Sequence, residues 1–209
     1  MSVALGRPRR DFRAELARDK CWDAETERRF RTTGIPLEDC LLQNREELIA
    51  LCELIEAQEI RSYLEIGVWT GRLVSTLHRL FDFDHVHACD IGWVEEVGLP
   101  LNLPFGIDFL RASSHSERYV AWRKRMPPVD LVMIDGDHTY EAVKHDFEIN
   151  RRLPHRWLAF HDITGDNETT VGVKRLWDEL VGVKIEIVRP HRELGLTRST
   201  MGIGLWREG

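Results

Sequence analysis

From residue 61 onward, short apolar runs alternate with segments whose apolar residues recur every three or four positions. The runs 62–66 (SYLEI), 85–89 (HVHAC), 107–111 (IDFLR), 129–134 (VDLVMI) and 156–160 (RWLAF) predict strands. The segments 71–82, 115–125, 139–152 and 170–181 predict helices. Apolar strands separated by helices indicate βαβ units, in which a parallel sheet is covered on both faces. The last two runs, 184–189 (KIEIVR) and 201–207 (MGIGLWR), leave no room for a helix between them and predict an antiparallel pair at one edge. The expected fold is therefore α/β: a doubly wound, mostly parallel seven-stranded sheet with an antiparallel edge strand, plus an N-terminal helical extension.

The N-terminal part reads differently. Residues 1–10 (MSVALGRPRR) are basic, contain Pro8 and show no helical face, which predicts a flexible arm. The charged stretch 11–31 predicts a helix that ends at Thr32-Thr33-Gly34-Ile35-Pro36. A second helix starts at Asn44 as its N-cap, with Glu47 three positions on as in a capping box; Leu48, Leu51, Cys52 and Ile55 form its apolar face. These readings divide the chain into an arm and helical extension over 1–58 and a main domain over 59–209. The extension suits a substrate lid or a homodimer contact.

Composition narrows the function class. Apolar residues make up 43% and charged residues 31%, as in soluble globular proteins. Lys plus Arg number 29 against 35 Asp plus Glu, a net charge of −6, so nucleic acid is not the expected partner. Cys21, Cys40, Cys52 and Cys89 have no metal-ligand spacing, and no apolar run approaches the roughly 18 residues of a membrane span. A cytoplasmic protein without membrane contact is the expectation.

Candidate chemistry gathers at the predicted strand ends. Glu65-Ile66-Gly67-Val68-Trp69-Thr70-Gly71 carries a strand into a glycine turn and then a helix. Gly67 permits a sharp turn and close approach of a ligand, and Gly71 lets the next helix start near the sheet. The spacing is neither a dinucleotide fingerprint nor a phosphate loop. Asp90 closes the next strand, where an acid accepts hydrogen bonds from a ribose diol. Glu65 is placed to face a cationic amino group. Asp135, Asp137 and His138 follow the strand 129–134, and His161 and Asp162 follow 156–160. In a parallel sheet, adjacent strand ends bring these groups to one rim beside the glycine turn. Caps and loop hydrogen bonds are the alternative explanation for any one of them. The remaining histidines, His115 and His145 among them, show no ligand spacing. Trp69 and the long loop 92–106 are candidate walls of the crevice.

The Glu-x-Gly-x-x-x-Gly turn with a later strand-end acid resembles the class I S-adenosylmethionine-dependent methyltransferases, over roughly residues 60–207. The resemblance implies that Glu65 and Gly67 lie by the methionine part of S-adenosylmethionine and that Asp90 binds its ribose; Gly71 and Asp135 border the same cofactor. It places Ser113 where relatives carry an acid against the adenine amine, and serine is the weaker acceptor. The stretch IDGDHTYEAVKHDFE, followed by FHD, is similar to small-molecule O-methyltransferases of the macrolide-sugar type and to cephalosporin-hydroxylase-like proteins. That likeness implies a divalent metal, magnesium or manganese, on Asp135, His161 and Asp162, with His138 as general base. His161 departs from the oxygen ligands usual in such relatives, and imidazole suits manganese, iron or zinc better than magnesium. Asp166 and Asn167 are spare oxygen donors.

The function these readings imply is methyl transfer to a hydroxyl of a small-molecule acceptor, with metal assistance. The alternatives are a metal-independent N- or O-methyltransferase and a non-catalytic binding protein of the same fold.

Overall fold

Asp11 and Asp23 each cap a helix, which is why the charged stretch 11–31 is not one continuous helix. The Asp11 and Asp23 carboxylates accept the backbone N–H groups of Ala14 and Thr26 at 3.1 and 2.8 Å. The result is Phe12–Glu15 (α1), Lys20–Cys21 (β1) and Ala24–Thr33 (α2). β1 pairs in parallel with Cys40–Leu41 (β2), a two-residue contact too short to predict from periodicity. The computed structural model describes residues 10–165 and 167–209. The predicted arm, apart from Arg10, and Asp166 lie outside the described residues.

Arg45–Ala57 (α3) starts where expected, with the Asn44 side chain accepting the Glu46 N–H at 3.1 Å. Glu47 closes no capping box. It is fully buried and instead accepts the N–H of Arg189 at 3.0 Å, the Ser199 hydroxyl at 2.5 Å and the N–H of Gly202 at 2.9 Å. A buried carboxylate needs such donors, and here they tie the extension to the C-terminal loop. Leu48, Leu51, Cys52 and Ile55 are buried in one cluster with Tyr63 and Leu131, so α3 covers the sheet. Each large apolar side chain buried this way contributes about 1.5–3 kcal/mol.

The sheet comprises Ser62–Ile66 (β3), His85–Asp90 (β4), Asp108–Arg111 (β5), Val129–Ile134 (β6), His155–His161 (β7), Val183–Ile187 (β8) and Ile203–Arg207 (β9). Between them run Arg72–Leu80 (α4), Trp93–Glu96 (α5), Glu117–Arg123 (α6), Tyr140–Asn150 (α7) and Val171–Glu179 (α8). The strand order is β5-β4-β3-β6-β7-β9-β8. The first five run parallel; β9 inserts between β7 and β8 and is antiparallel to both. Successive residues alternate between faces. Tyr63, Leu131 and Met133 pack under α3 and α4, while Leu64, Val132 and Phe160 pack under α6, α7 and α8. The four cysteines are free and buried. Among the described residues, no helix is long and apolar enough to cross a membrane.

Gly67 sits where β3 turns away from the sheet, with φ +80°. A Cβ there would lie 2.2 Å from the Asp135 carbonyl oxygen and 2.5 Å from the Gly136 Cα. The glycine is therefore demanded by the neighbouring strand end as well as by the turn. Gly34 has the similar φ of +71° but nothing within 4 Å of the same position, which makes it an internal control. Gly34→Ala should cost about 1–2 kcal/mol, the left-handed penalty alone. Gly67→Ala should cost roughly 1–3 kcal/mol more, because backbone must shift. Urea unfolding of the two variants checks this, and equal losses would show that the Asp135 contact yields freely.

Candidate functional site

The parallel strands release their chains at one rim, where a cavity of about 1540 Å³ opens. Such a volume exceeds the roughly 300–1,000 Å³ of a single drug-sized site and has room for two ligands side by side. Glu65, Gly67, Asp90, Ser113, Asp135, His138, His161 and Asp162 all line it, as the strand-end reading predicts. Gly71 stands one step back as the left-handed N-cap of α4, where a Cβ would lie 2.5 Å from the Asn102 carbonyl. Its close neighbour is therefore the loop 92–106, rather than the sheet expected from the sequence. The extension contributes Trp22, Arg28, Phe30 and Gln43 to the cavity wall.

Glu65 is 2% exposed and accepts the Tyr63 hydroxyl at 2.7 Å. Burial pushes its carboxyl up to about 8; the Tyr63 hydrogen bond pulls the other way, and the charges of Asp135 and Asp90 push with the burial. A cationic group beside it would favour the carboxylate form.

Asp90 works on the backbone. One oxygen accepts the N–H groups of Val68 and Trp69 at 2.8 and 3.3 Å, and the other accepts Gly92 N–H at 2.6 Å. The carboxylate thus pins the glycine turn to the loop after β4, with lone pairs left for further donors. Trp69 is held at φ +51° and packs against Trp93, ring centroids 5.2 Å apart. Its indole N–H is buried without a hydrogen-bond partner. A non-glycine residue in this region marks local strain, which concentrates at functional sites.

Asp135, His138, His161 and Asp162 come together from β6 and β7. His138 Nε2 lies 3.1 Å from Asp135 Oδ1, and its Nδ1 lies 3.5 Å from Asp162 Oδ2. His161 Nδ1 lies 3.2 Å from Asp135 Oδ1 and 3.7 Å from Asp162 Oδ1. An ionised carboxylate only accepts, so His138 Nε2 carries the proton of its hydrogen bond to Asp135, while Nδ1, 3.5 Å from Asp162, is the nitrogen left without a proton in the neutral ring. Burial disfavours the charged imidazole of His138, but the hydrogen bond to Asp135 and the charges of Asp135 and Asp162 outweigh it, and its pKa is raised. Burial likewise opposes protonation of His161, whose pKa the Asp135 and Asp162 charges push up to about 10. Desolvation works against the Asp135 carboxylate, but the two histidines hold its pKa well below the ordinary value. Asp162 adopts φ +65°, a second strained residue in the cluster.

This arrangement bears on the expected metal. The His138 ring stands between the Asp135 and Asp162 carboxylates, with one nitrogen toward each. Among the described residues, no group of three or more His, Cys, Asp or Glu side chains is arranged to hold a metal ion. As arranged, the expected ligands fit an imidazolium–carboxylate network rather than a metal shell. Asn167 is also not spare: its side-chain oxygen accepts the N–H groups of Thr169 and Thr170 at 2.9 and 3.2 Å.

Two residues of the site escaped the sequence reading. Gln43 lies in an irregular segment, and its amide approaches Asp135 Oδ2 at 3.5 Å. Asp146 did leave a signal: it shares the buried stripe of α7 with Val143, Phe147 and Asn150, an acid at a core position.

Comparison with known proteins bears on the fold. Residues 64–163 match the family model described as a methyltransferase domain. The O-methyltransferase from Bacillus cereus, solved in complex with SAH, superimposes with a TM-score of 0.58 at 14% identity, over 97% of this chain and 94% of that one. The O-methyltransferase TomG from Streptomyces achromogenes, involved in tomaymycin synthesis and solved in complex with SAM, gives a TM-score of 0.56 at 15% identity, over 96% and 92%. Among curated proteins, the uncharacterized protein y4gI of Sinorhizobium fredii is 30% identical over a match that covers 39% of this chain. The chain spans 11% of that relative's length. The family model thus matches just under half of the chain, and the solved O-methyltransferases share its fold.

The Glu65 carboxyl offers a pH test. Its folded pKa of about 8 lies above its ordinary 4.5, so the folded state holds this proton more tightly than the unfolded chain. The stability this contributes is complete below about pH 4.5 and is lost as pH rises through about 8. Glu65→Gln keeps the neutral shape, so the difference in unfolding free energy, wild type minus variant, should fall steadily across that window. Parallel wild-type and variant curves from urea titrations would show that the site does not bury a neutral carboxyl.

Proposed function

We propose that the protein transfers a methyl group from S-adenosylmethionine to a hydroxyl of a small-molecule acceptor. The observation that carries this reading is the convergence on one cavity of a buried carboxyl at Glu65, a loop-pinning carboxylate at Asp90 and the Asp135–His138–His161–Asp162 network. These residues fit the donor. Glu65 suits the ammonium of its methionine part and Asp90 the ribose diol, and the Trp69 N–H is buried beside them without a partner. The sequence likeness to small-molecule O-methyltransferases and the O-methyltransferase neighbours support a hydroxyl acceptor.

When bound, S-adenosylmethionine supplies a methyl group on a sulfonium, already an excellent leaving group. What the chain must add is alignment, water exclusion and a destination for the acceptor proton. His138 borders the cavity and is a quarter exposed, so it is the member of the network that reaches an acceptor. In its neutral form it takes the hydroxyl proton as the oxygen–methyl bond forms and the sulfur–methyl bond breaks. Asp135 and Asp162 then stabilise the imidazolium that results. Because these carboxylates raise the His138 pKa, the neutral base becomes more abundant as pH rises above the ordinary histidine range.

No step is routed through the divalent metal expected at Asp135, His161 and Asp162. The trace of cytoplasmic composition and the absence of a nucleic-acid footprint remain part of the same reading, as does a homodimer contact through the extension.

Isothermal titration calorimetry should register S-adenosylhomocysteine binding in the micromolar range, about −8 kcal/mol. Asp90→Ala should weaken it by roughly 1–3 kcal/mol. No binding heat from the wild type would remove the donor assignment. His138→Ala should retain that binding while slowing methyl transfer about 10²–10⁴-fold, and unchanged turnover per folded molecule would move the base elsewhere. Turnover should survive exhaustive treatment with EDTA; loss on chelation with recovery on adding Mn²⁺ would restore the metal to Asp135, His161 and Asp162.

A further inference from the structure

The cavity is not evenly charged. Its floor, where the strands end, is acidic, with Glu65, Asp90, Asp135 and Asp162. The wall that α2 contributes carries arginines instead. Ala24, Glu27, Arg28 and Arg31 all line the cavity and share one face of α2, at helical spacing. A helix face that borders an interior space is ordinarily apolar, and this one is charged. The acids near Arg28 are already engaged. Glu27 accepts Arg31 Nε at 2.7 Å with one oxygen and the Trp22 indole N–H at 2.8 Å with the other. Glu25, three positions before Arg28, is held by Lys20 Nζ at 2.5 Å.

A second arginine joins Arg28. Arg72, the first residue of α4, lines the same cavity, and β2 of the extension packs against its helix. A cation is disfavoured at this end of a helix, so local structure does not account for it. Among the described residues, neither guanidinium has a hydrogen-bond or ion-pair partner. Beside the arginines the wall is apolar: Phe30, 42% exposed, meets Trp22 edge-on with ring centroids 5.4 Å apart, and both line the cavity. A guanidinium presents a planar fork of donors that matches the oxygens of an organic anion, and the pairing strengthens as a bound ligand displaces water.

We propose that this side of the cavity is the acceptor subsite and that it selects an organic acid. The acidic group of the acceptor pairs with Arg28 and Arg72, its apolar body lies on Phe30 and Trp22, and its hydroxyl extends toward the acidic floor. Each of the two ligands then meets charge opposite to its own: the sulfonium donor over the carboxylates, the anionic acceptor against the arginines. An anion that entered the wrong way round would face Glu65, Asp90 and Asp135, which opposes that orientation. Calling this ligand the methyl acceptor rests on the transfer reading above; the anion subsite itself does not.

The test titrates the full chain with two fluorescent probes that share one aromatic body: anilinonaphthalene sulfonate, which is anionic, and phenylnaphthylamine, which lacks the sulfonate. Each titration is run with and without S-adenosylhomocysteine. The wild type should bind the sulfonate probe about 5- to 50-fold more tightly than the neutral one, between the values for an exposed ion pair and a charged hydrogen bond. Arg28→Ala and Arg72→Ala should each remove most of that preference and leave the neutral probe's affinity unchanged. Arg29→Ala takes the same charge from α2 at a position that does not line the cavity, and it should change neither affinity. Equal affinity for the two probes in the wild type, no binding of either, or an equal loss in Arg29→Ala would overturn the proposal. The sulfonate probe should also bind together with S-adenosylhomocysteine; displacement by it would put the anion in the donor's place and overturn the acceptor assignment. The heat of S-adenosylhomocysteine binding reads the donor site separately, so its absence would remove the transfer reading while the probes still decide the anion subsite.

Discussion

At Gly67 the backbone passes so close to the turn after β6 that even a methyl group would sit 2.2 Å from the Asp135 carbonyl. That approach joins two halves of the site. The β3 turn carries Glu65 and the loop pinned by Asp90, while the β6 turn carries Asp135 and His138. The sheet ladder ends at the same place, with Asp135 N–H donating to Ile66 C=O at 2.9 Å and Gly67 N–H to Cys89 C=O at 2.9 Å. Beyond these bonds the strands diverge and the cavity begins, so the widest opening lies directly over the tightest backbone contact.

Charge in the site is compensated almost entirely by its own members. Two histidines face two carboxylates at 3.1–3.7 Å, so each charge of the cluster lies beside one of opposite sign. Such a network is costly to leave half-made, because each buried charge depends on the others. It also gives His138 a dual character. The carboxylates that raise its pKa favour its imidazolium form against the burial that opposes it, while a quarter of the side chain stays exposed. Glu65 and Asp146 are different: each is a buried acid whose carboxyl is pushed up by its burial.

The extension completes this pocket. Glu47 anchors α3 to the loop that carries Ser199 and Gly202, and β1 with β2 brings Trp22 and Gln43 toward Asp135. Those contacts link residues more than ninety positions apart. Arg28 and Phe30 of α2 line the same cavity.

The sequence by itself determined the seven strands, the helices that cover them and the rim on which the polar residues collect, because periodicity and strand-end position are local properties of the chain. It also marked Glu65, Asp90, Asp135, His138, His161 and Asp162 as residues of one crevice, since adjacent parallel strands must end together. Tertiary structure alone decided what those residues do to one another. The wedge of His138 between Asp135 and Asp162, the capture of Asp90 by the backbone of two loops and the diversion of Glu47 from its capping box all depend on partners distant in sequence. Asp146 shows the boundary most clearly: its place on the apolar stripe of α7 was legible, but its contact with the loop after β5, where His115 Nε2 lies 3.5 Å from its Oδ1, was not. Periodicity says which face of a helix is buried, and only the packed chain says what lies opposite.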